Sequence, residues 1–476
     1  MRKAKPNRMM IDQLSHEQED ALFDNAHRTL TLVRAAAKCL HCRRPMFLAP
    51  KYKGDWLGPQ PNEPLRSYRM MYPIKCGSRL AEICPSCSLL YSIDAHRLVG
   101  LGLKGDDDLV PLTTSQNHRL FFTVTLPSFG IVHHVLERNG HPGQCHPGQK
   151  CFCQHGTKIT CNKIHEADDP DVGTPLCPDC YAIDDQVLAN ATVTELWDRL
   201  RDHEIPRELA KLLGIPRDEL KDCMRIEASK TAEMQARGAI HFHGFVRLDG
   251  PAGQGSRPTR LITDGQLVKA FQNAVRKVVI HKRFALSDDD PDAIERDFHF
   301  GSQIDVIVIN DLNTKFFAHY VAKYATKGAT DAAGLARTFR TLFQIDALPN
   351  SAWWPRLLAR TAWLLRENPR FASLKLRDHA NTFGFRGHFL TKTRHWSVTF
   401  CQLKQIRVQW AIAHANPDGP STLNFPRELF EDPDVTWGVV ARGWLNELDA
   451  LAVRFWWRSD QDGREQERYW REQEVA

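Results

Sequence analysis

Two histidines one residue apart, His241 and His243, have a spacing that suits metal binding. They lie in GAIHFHGFVRL (238 to 248), where apolar and polar residues alternate as in a β-strand. Residues two apart in a strand point to the same face, so both imidazoles can reach one divalent ion. A lone His-X-His also fits two polar residues on a solvent-exposed face. The residues around the pair must decide between these interpretations.

A third metal ligand is available from the predicted hairpin arm that precedes the histidines. Glu233 and Gln235 stand eight and six positions before His241, and both face it if the hairpin is regular. A bulge near Gly238 would change that, so the choice between carboxylate and amide stays open. Imidazole ligands favour Mn²⁺ by softness, whereas cellular abundance favours Mg²⁺, and we expect one of these two ions.

Two tyrosines, Tyr320 and Tyr324, are candidates for a nucleophile. They stand four apart in NTKFFAHYVAKYATKG (313 to 328), which predicts a helix, so they share one helical face. Lys323 and Lys327 accompany them, which favours a polar site over an aromatic pair packed into a core. A phenol has a pKa near ~10, so a nucleophilic tyrosine needs a metal ion and a nearby ammonium to assist its attack on a phosphate.

The thirteen cysteines of the chain fall mostly in two clusters that indicate metal sites. No secretion signal precedes them, and cytosolic thiols stay reduced, so a disulfide framework is not expected. In the first cluster, two CxxC pairs predict a tetrahedral Zn²⁺ site with the ligands Cys39, Cys42, Cys84 and Cys87. Cys76 is an alternative member, because the separation of the two pairs exceeds the usual zinc-ribbon spacing.

The second cluster lies in a segment rich in Gly, Pro and His, and predicts a second Zn²⁺ site. We expect its ligands to be Cys153, Cys161, Cys177 and Cys180. His155 and His165 are alternates, and reduced cysteines in loops are the competing interpretation. Both zinc sites would be structural and would hold the surrounding loops in place.

A basic segment near residue 390 is a candidate for DNA binding. FGFRGHFLTKTRHW (383 to 396) interleaves aromatic residues with the basic residues Arg386, His388, Lys392, Arg394 and His395. This pattern suits phosphate binding combined with base stacking. An ordinary solvated hairpin is the competing interpretation.

The elements that position these residues predict an α+β protein in three regions. Residues 1–115 form a zinc-ribbon-like N-terminal region, 116–330 an α/β core with a cysteine-rich insertion at about 141–182, and 331–476 a mostly helical DNA-contacting region. The core runs strand, insertion, helix, two strands, helix, strand and helix. No G-x-x-x-x-G-K-[ST] phosphate loop occurs, so no ATP-driven helicase is built in.

The composition, with 42% apolar and 25% charged residues, is that of a globular chain. A net charge of +6 permits a polyanionic partner without requiring one. No apolar run approaches the ~20 residues of a membrane span, and no hydrophobic stretch follows the basic N-terminus. We therefore expect an intracellular protein without a membrane partner.

Taken in order, the motifs resemble those of the HUH rolling-circle replication initiators. FFTVTLP (121 to 127), HFHGFVRLDG (241 to 250) and YVAKYATK (320 to 327) are similar to the family's first motif, metal-binding motif and two-tyrosine motif. CPSCSLLYSIDAHRLVGLGLKG (84 to 105), PLCPDCY (175 to 181) and FGFRGHFLTKTRHWSVTF (383 to 400) are similar to initiators from actinomycete plasmids and integrative elements. The resemblance extends from about residue 39 to 400.

The resemblance implies an HUH-endonuclease core, a central antiparallel sheet flanked by helices in a ferredoxin- or RRM-like arrangement. It implies that a divalent ion on His241, His243 and a third ligand polarises a DNA phosphate. Tyr320 or Tyr324 would then nick the origin strand and leave a 5′-phosphotyrosine and a free 3′-hydroxyl. The other tyrosine would later rejoin the strand, and Lys323 and Lys327 would bind phosphate.

The resemblance also implies partners and a location. These are single-stranded and hairpin origin DNA, a host helicase and a host DNA polymerase, in the bacterial cytoplasm. Three other classes share part of the pattern. A conjugative relaxase commonly has a three-histidine cluster, which this sequence lacks, and a single-strand transposase is normally much smaller. A non-catalytic zinc-finger DNA-binding protein would need neither the histidine pair nor the tyrosine helix.

Overall fold

The structure, a computed structural model, covers two compact units, Met1–Tyr91 with Trp410–Ala476, and Ser92–Gln409. The residues it describes are 39, 42–57, 60–61, 72–106, 108–138, 140–148, 151–314, 316–317, 335, 338–413 and 434–444. Among them, no helix is both long and apolar enough to span a membrane. The division into three regions at residues 115 and 330 stays a prediction.

The described residues form helices and antiparallel strands, a mixed α/β architecture. The strands are β1 (Met46–Tyr52), β2 (Asp55–Trp56), β3 (Tyr72–Ile74), β4 (Arg119–Thr125), β5 (Leu136–Arg138), β6 (His141–Gly143), β7 (Arg225–Met234), β8 (Ile240–Asp249), β9 (Val279–Phe284), β10 (Ile294–His299), β11 (Ile304–Val308), β12 (Leu390–Lys392) and β13 (Val435–Arg442). The α-helices are α1 (Pro85–Lys104), α2 (Ile183–Arg199), α3 (Ile205–Leu213), α4 (Asp264–Lys277), α5 (Leu342–Asp346), α6 (Trp353–Leu365) and α7 (Phe400–Ala413). A π-helical turn (Leu200–Glu204) joins α2 to α3.

The first unit contains a small antiparallel sheet around β1. This strand pairs with β13, β2 and β3. Phe47 and Ala49 of β1 are buried, and the Phe47 ring packs edge-on against the indole of Trp444 at 5.9 Å. The same indole nitrogen donates to the Cys42 carbonyl at 3.2 Å. The sheet is thereby tied to the first group of cysteines.

The second unit is built on a five-stranded antiparallel sheet in the order β11, β4, β8, β7, β12. β7 and β8 form a hairpin of ten residue pairs, from Arg225 opposite Asp249 to Met234 opposite Ile240. Side chains alternate between the two faces of such a pair, so each face has its own environment. The hairpin occupies the middle of the sheet and carries the predicted metal ligands.

One face of this sheet is covered by helices and forms the main hydrophobic core. Phe122 of β4 stacks on Trp197 of α2 at 5.1 Å and contacts Phe271 of α4 at 5.0 Å, and all three side chains are buried. Thr263 caps α4 by accepting from the Gln266 backbone N–H, while the Gln266 side chain accepts from the Thr263 N–H. This capping box fixes the start of the helix against the sheet.

Within the described part of the chain, the opposite face of the sheet is packed against other elements at the end near Arg247. There the buried Arg247 guanidinium donates two hydrogen bonds to the Asp249 carboxylate, at 2.7 and 2.6 Å, and a third to the Gly102 carbonyl of α1. A side chain at Gly102 would overlap the indole of Trp396, so glycine lets the helix and this tryptophan pack together. The other end of the same face, around His241, remains accessible as a cavity.

Candidate functional site

Strand register brings the candidate metal ligands onto one face of the sheet. On the hairpin, His241 lies opposite Glu233. On the other side of β8, strand β4 places Thr125 opposite His241 and Thr123 opposite His243. Directly opposed residues of an antiparallel pair project to the same face, so these five side chains converge. The prediction that both imidazoles share a face with the preceding hairpin arm agrees with this register.

The two imidazoles and one carboxylate are close enough to share an ion. His241 Nε2 lies 2.9 Å from His243 Nε2, and His243 Nε2 lies 3.1 Å from Glu233 Oε2. The ligand atoms of these three residues all lie within 4.8 Å of one another. His243 is buried, and His241 and Glu233 are half-buried. The group therefore has a sheltered base and an accessible side.

Two threonines orient the histidines from behind. Thr125 Oγ1 lies 2.7 Å from His241 Nδ1, and Thr123 Oγ1 lies 3.0 Å from His243 Nδ1. When each hydroxyl accepts from an Nδ1–H, both Nε2 atoms keep a free lone pair, and these atoms lie 2.9 Å apart. Two lone pairs this close repel each other unless a cation binds both. A hydrogen bond to the other ring nitrogen, as each threonine makes here, is the usual outer-sphere pattern of a histidine metal site. The donor set therefore fits a divalent ion.

The environment keeps His241 in the form that binds metals. Burial, together with the nearby His243 and Arg237, lowers the pKa of His241 from its ordinary 6.5 to about 3. The imidazole is consequently neutral at physiological pH. A metal ligand needs that neutral form.

Of the two candidates for the third ligand, Glu233 is the one whose oxygen approaches an imidazole Nε2. Gln235 instead places its amide nitrogen 3.4 Å from His241 Nδ1, and its Oε1 accepts from Arg237 Nε at 2.9 Å. The pairing is regular up to Met234 opposite Ile240, without a bulge. The side-chain oxygen of Gln235 already accepts a hydrogen bond from the Arg237 guanidinium.

The site opens into a cavity of about 460 Å³. Its walls are formed by Thr123, Glu233, Met234, Gln235, Ala236, His241, His243 and Asp305. Sequence reasoning missed Thr123, Thr125 and Asp305. The signal was the alternation in FFTVTLP, which puts both threonines on one face, and the lone carboxylate within the apolar strand β11.

Tyr320, Tyr324, Lys323 and Lys327 lie outside the described residues. The chain just before them is described at Phe317, whose ring stacks on Phe121 at 4.7 Å between centroids. Phe121 in turn lies parallel to the His243 imidazole, with centroids 6.1 Å apart. Phe317, three residues before Tyr320, therefore packs against the same ring that stacks beside His243.

The first cysteine group assembles Cys42, Cys76, Cys84 and Cys87. The Cys42 sulfur lies 3.7 Å from that of Cys84 and 3.6 Å from that of Cys87, and the Cys76 backbone N–H donates to the Cys42 sulfur at 3.3 Å. Cys76, which the sequence offered as an alternative ligand, is a member of this group of four. Cys39, which we predicted as a ligand, is not one of these four residues but is buried in the same cluster. Four sulfurs at this spacing can hold a metal ion.

The second cysteine group differs from the predicted set at one position. It contains Cys153, His155, Cys177 and Cys180, with His155 Nδ1 3.2 Å from the Cys180 sulfur. The structure does not bring Cys161 into this group but pairs its backbone with His146, in another part of the insertion. The alternate His155 takes that place because a tight turn, with Gly156 N–H donating to the Cys153 carbonyl, folds it back beside Cys153.

The basic segment is less available for stacking than its sequence suggests. Of its four phenylalanine and tryptophan residues, Phe383, Phe385 and Trp396 are buried and Phe389 is half-buried. Lys392 Nζ donates to the Ser397 carbonyl at 2.9 Å, and burial lowers its pKa. The exposed members of the segment are Arg386, His388, Arg394 and His395. These four side chains can contact phosphates. The buried rings are not available for stacking with bases.

Comparison with known proteins identifies the family of the chain. A family model described as RepSA, the replication initiator protein of pSAM2, matches residues 31–455. A replication initiator protein from Streptomyces ambofaciens is 35% identical over 347 residues, which cover 71% of this chain and 70% of that protein. No solved structure gives a significant match. The chain therefore belongs to the RepSA family of replication initiator proteins.

Proposed function

We propose that the chain starts rolling-circle replication by nicking one strand of its origin at an HUH-type metal site. The observation that carries this proposal is the convergence of His241, His243 and Glu233 on the accessible end of one sheet face, at 2.9 and 3.1 Å between neighbouring ligand atoms. Membership of a replication initiator family supports it, because an initiator must act on origin DNA.

The sheet supplies an electrophilic site for a DNA phosphate. His241, His243 and Glu233 would hold Mg²⁺ or Mn²⁺, with Thr123 and Thr125 fixing the imidazole rings. When bound, a divalent ion polarises the scissile phosphate and offsets the negative charge that develops on it. The cavity of about 460 Å³ above the ligands has room for a phosphodiester.

Tyr320 and Tyr324 are the proposed nucleophiles. The contact of Phe317 with Phe121 supports this role, because Phe317 stands three residues before Tyr320 and Phe121 stacks beside His243. The tyrosine hydroxyl gives up its proton and its oxygen attacks phosphorus. The bond from phosphorus to the 3′-oxygen breaks, and that oxygen takes up a proton. The products are a 5′-phosphotyrosine and a 3′-hydroxyl. One phosphoester replaces another, so no ATP is consumed.

The second tyrosine allows the cycle to close. After one round of synthesis it attacks the regenerated junction, and the strand is rejoined and released as a circle. Lys323 and Lys327 would bind phosphate during both steps. Strand separation and synthesis would come from a host helicase and a host DNA polymerase in the bacterial cytoplasm, since the chain carries no phosphate-loop motif.

The remaining predicted residues would bind origin DNA around the nick. Arg386, His388 and Arg394 are exposed and can contact phosphates, whereas Lys392 would act by bracing its own loop. The groups of Cys42 and of Cys153 would each hold a structural Zn²⁺. Such ions would stiffen loops that contact single-stranded or hairpin DNA.

Covalent trapping of origin DNA tests the proposal. A single-stranded origin oligonucleotide labelled at its 3′ end is incubated with the protein and Mn²⁺, and the products are separated under denaturing conditions. We expect a labelled protein–DNA adduct whose yield falls in Tyr320→Phe or Tyr324→Phe and disappears in the double variant. Tyr52→Phe is the matched control and should keep full yield, because Tyr52 is an exposed strand residue far from both tyrosines in the sequence.

An adduct that persists in the double variant would overturn the assignment of the nucleophiles. Failure of the wild-type protein to form any adduct would favour a non-catalytic zinc-finger DNA-binding protein. A conjugative relaxase would give the same adduct, so an origin-dependent plasmid replication assay in a bacterial host separates that class from an initiator.

A further inference from the structure

We infer that the insertion binds a Zn²⁺ ion at a separate site formed by His133, Cys145, Cys161 and His165. These four side chains converge apart from the Cys153 group and from the His241 site. The set has the Cys₂His₂ composition of a structural zinc site. This inference goes beyond the proposed nicking activity and does not depend on it.

The distances between the ligand atoms match the size of a zinc tetrahedron. Nitrogen and sulfur ligands of a tetrahedral zinc ion lie about 3.3 to 3.8 Å from one another, given bond lengths of ~2.0 and ~2.3 Å. His133 Nδ1 is 3.2 Å from His165 Nε2, and Cys161 Sγ is 3.4 Å from the same nitrogen. Cys145 Sγ is 3.9 Å from His133 Nδ1. All three distances lie close to that range.

Backbone pairing holds the two cysteines together. The Cys145 N–H donates to the Lys163 carbonyl at 2.9 Å, and His146 and Cys161 exchange backbone hydrogen bonds at 2.7 and 2.9 Å. Cys145 and Cys161 are buried, and among the described residues their small apolar cluster also contains buried Leu176 and partly buried Ile159. The pairing therefore fixes two buried thiols side by side, close to the imidazoles of His133 and His165.

An outer-sphere carboxylate selects the ligand atom of His165. Asp169 Oδ2 lies 2.7 Å from His165 Nδ1, and the other oxygen of Asp169 accepts from the Asp171 N–H at 2.9 Å. With Nδ1–H directed at the carboxylate, Nε2 keeps its lone pair and faces Cys161 and His133. Zinc-bound histidines commonly show this carboxylate–imidazole pairing. The pairing distinguishes the site from an incidental cluster of polar residues.

A competing group shares one of these ligands. His134, Cys145 and His146 also approach one another, but they provide three donors where a structural zinc site has four. His146 Nε2 lies 2.9 Å from the Val132 carbonyl oxygen, which engages it in a hydrogen bond. The set with His133, Cys161 and His165 is therefore the one that completes a tetrahedron.

The proposed ion would anchor one wall of a cleft next to the His241 site. His133 belongs to the stretch 131–136, which lines a cavity of about 1250 Å³. The lining of this cavity also includes Gln235 and Ala236, which line the cavity of the histidine pair as well. The His133 backbone is held by the Thr174 carbonyl at 2.9 Å and by the Gly173 N–H at 2.8 Å. Binding of zinc at His133 would thus stiffen this cleft wall.

Zinc content tests the inference on the full-length protein. We expect purified Cys145→Ser/Cys161→Ser to contain one zinc equivalent fewer than the wild type by elemental analysis. Cys401→Ser, an exposed cysteine outside the three groups, is the matched control and should keep the wild-type content. Equal zinc in the double variant and the wild type would overturn the site. Because the readout is metal content, it stands or falls separately from nicking.

A second variant covers the case in which the double variant does not fold. His165→Cys should keep the same number of metal equivalents, since thiolate can replace imidazole as a zinc ligand. After replacement of zinc by Co²⁺, its thiolate-to-cobalt absorption should exceed that of the wild type by the contribution of one thiolate. An unchanged spectrum would show that position 165 does not face a metal, and would overturn the inference.

Discussion

Glu233 lies opposite His241 across the hairpin, yet its carboxylate contacts His243, with Oε2 3.1 Å from Nε2. This diagonal contact is within reach because residues two positions out of register on one sheet face remain neighbours. The three candidate ligands therefore depend on the register of β7 against β8. A shift of one residue would move Glu233 to the helix-covered face.

Removal of the Glu233 charge should weaken metal binding. We expect Glu233→Gln to raise the dissociation constant for Mn²⁺ by more than about 100-fold, since loss of a ligand should exceed the roughly 10- to 100-fold effect of losing an outer-sphere partner. Calorimetric titration of the protein with Mn²⁺ measures this directly. Gln235→Ala is the comparison, with a change below about 10-fold expected, because the Gln235 oxygen already accepts from Arg237. The reverse order of effects would assign the third ligand to Gln235.

The threonine behind His241 should matter for the metal without touching it. Thr125→Val keeps the shape of the side chain but removes the hydroxyl 2.7 Å from His241 Nδ1. We expect a loss of roughly 10- to 100-fold in Mn²⁺ affinity, because the imidazole is no longer held in the tautomer that offers Nε2. The same exchange at an exposed strand position, Thr436→Val, should leave the affinity unchanged. An unaltered affinity in Thr125→Val would show that the hydroxyl does not orient the ring.

Part of this site could be predicted from the sequence and part could not. The two-residue period of a strand was enough to place His241 and His243 on one face. This period could not decide between Glu233 and Gln235, because both have the same parity. The difference comes from Arg237, which donates a hydrogen bond to the Gln235 side-chain oxygen. The same period puts Thr123 and Thr125 on one face of their strand, but it does not show that this strand pairs with the histidine strand, and that pairing brings them to the imidazoles.

The cysteine groups show a different limit. The pair Cys177 and Cys180 was recognisable by its spacing. Its partners come from loops that are close in space, and no regular spacing in the sequence identifies them. Cys161 therefore could not be separated from the Cys153 group by spacing. Likewise, the alternation of basic and aromatic residues in 383–396 suggested exposed rings, whereas Phe385 and Trp396 are buried.

The loop of the hairpin should tolerate no side chain at Gly238. Its φ of +81° is costly for other residues, and a Cβ there would overlap Leu358 of α6. We expect Gly238→Ala to lower the free energy of unfolding by more than the ~1 to 3 kcal/mol of the backbone strain alone. Gly214→Ala isolates that strain, since Gly214 has a φ of +64° and nothing within 4 Å of its Cβ position. Urea denaturation of both variants checks the prediction, and equal losses would show that the overlap is relieved at no cost.

A buried lysine, Lys230, lies on the other face of the hairpin. Lys230 Nζ lies 3.9 Å from the centre of the Phe242 ring and, among the described residues, has no hydrogen-bond partner. Burial lowers the pKa of Lys230 from 10.5 to about 7. The nearby Asp198 raises this pKa, and Arg201 lowers it slightly, but burial has the largest effect. The folded chain therefore pays a desolvation cost for the ammonium at and below neutral pH.

The sign of the pH dependence follows from proton binding. Between about pH 7 and 10.5 the unfolded chain holds more protons at Lys230 than the folded chain, so this group makes wild-type stability rise with pH, by at most about 1.4 kcal/mol per unit. Lys230→Met lacks this contribution. We expect the variant to exceed the wild type in stability near pH 6.5, and the difference to shrink towards pH 9.5, as measured by urea denaturation. Lys404→Met, at an exposed position of α7, should show no such trend. A difference between Lys230→Met and the wild type that is constant across this range would mean that Lys230 keeps its proton in the folded state.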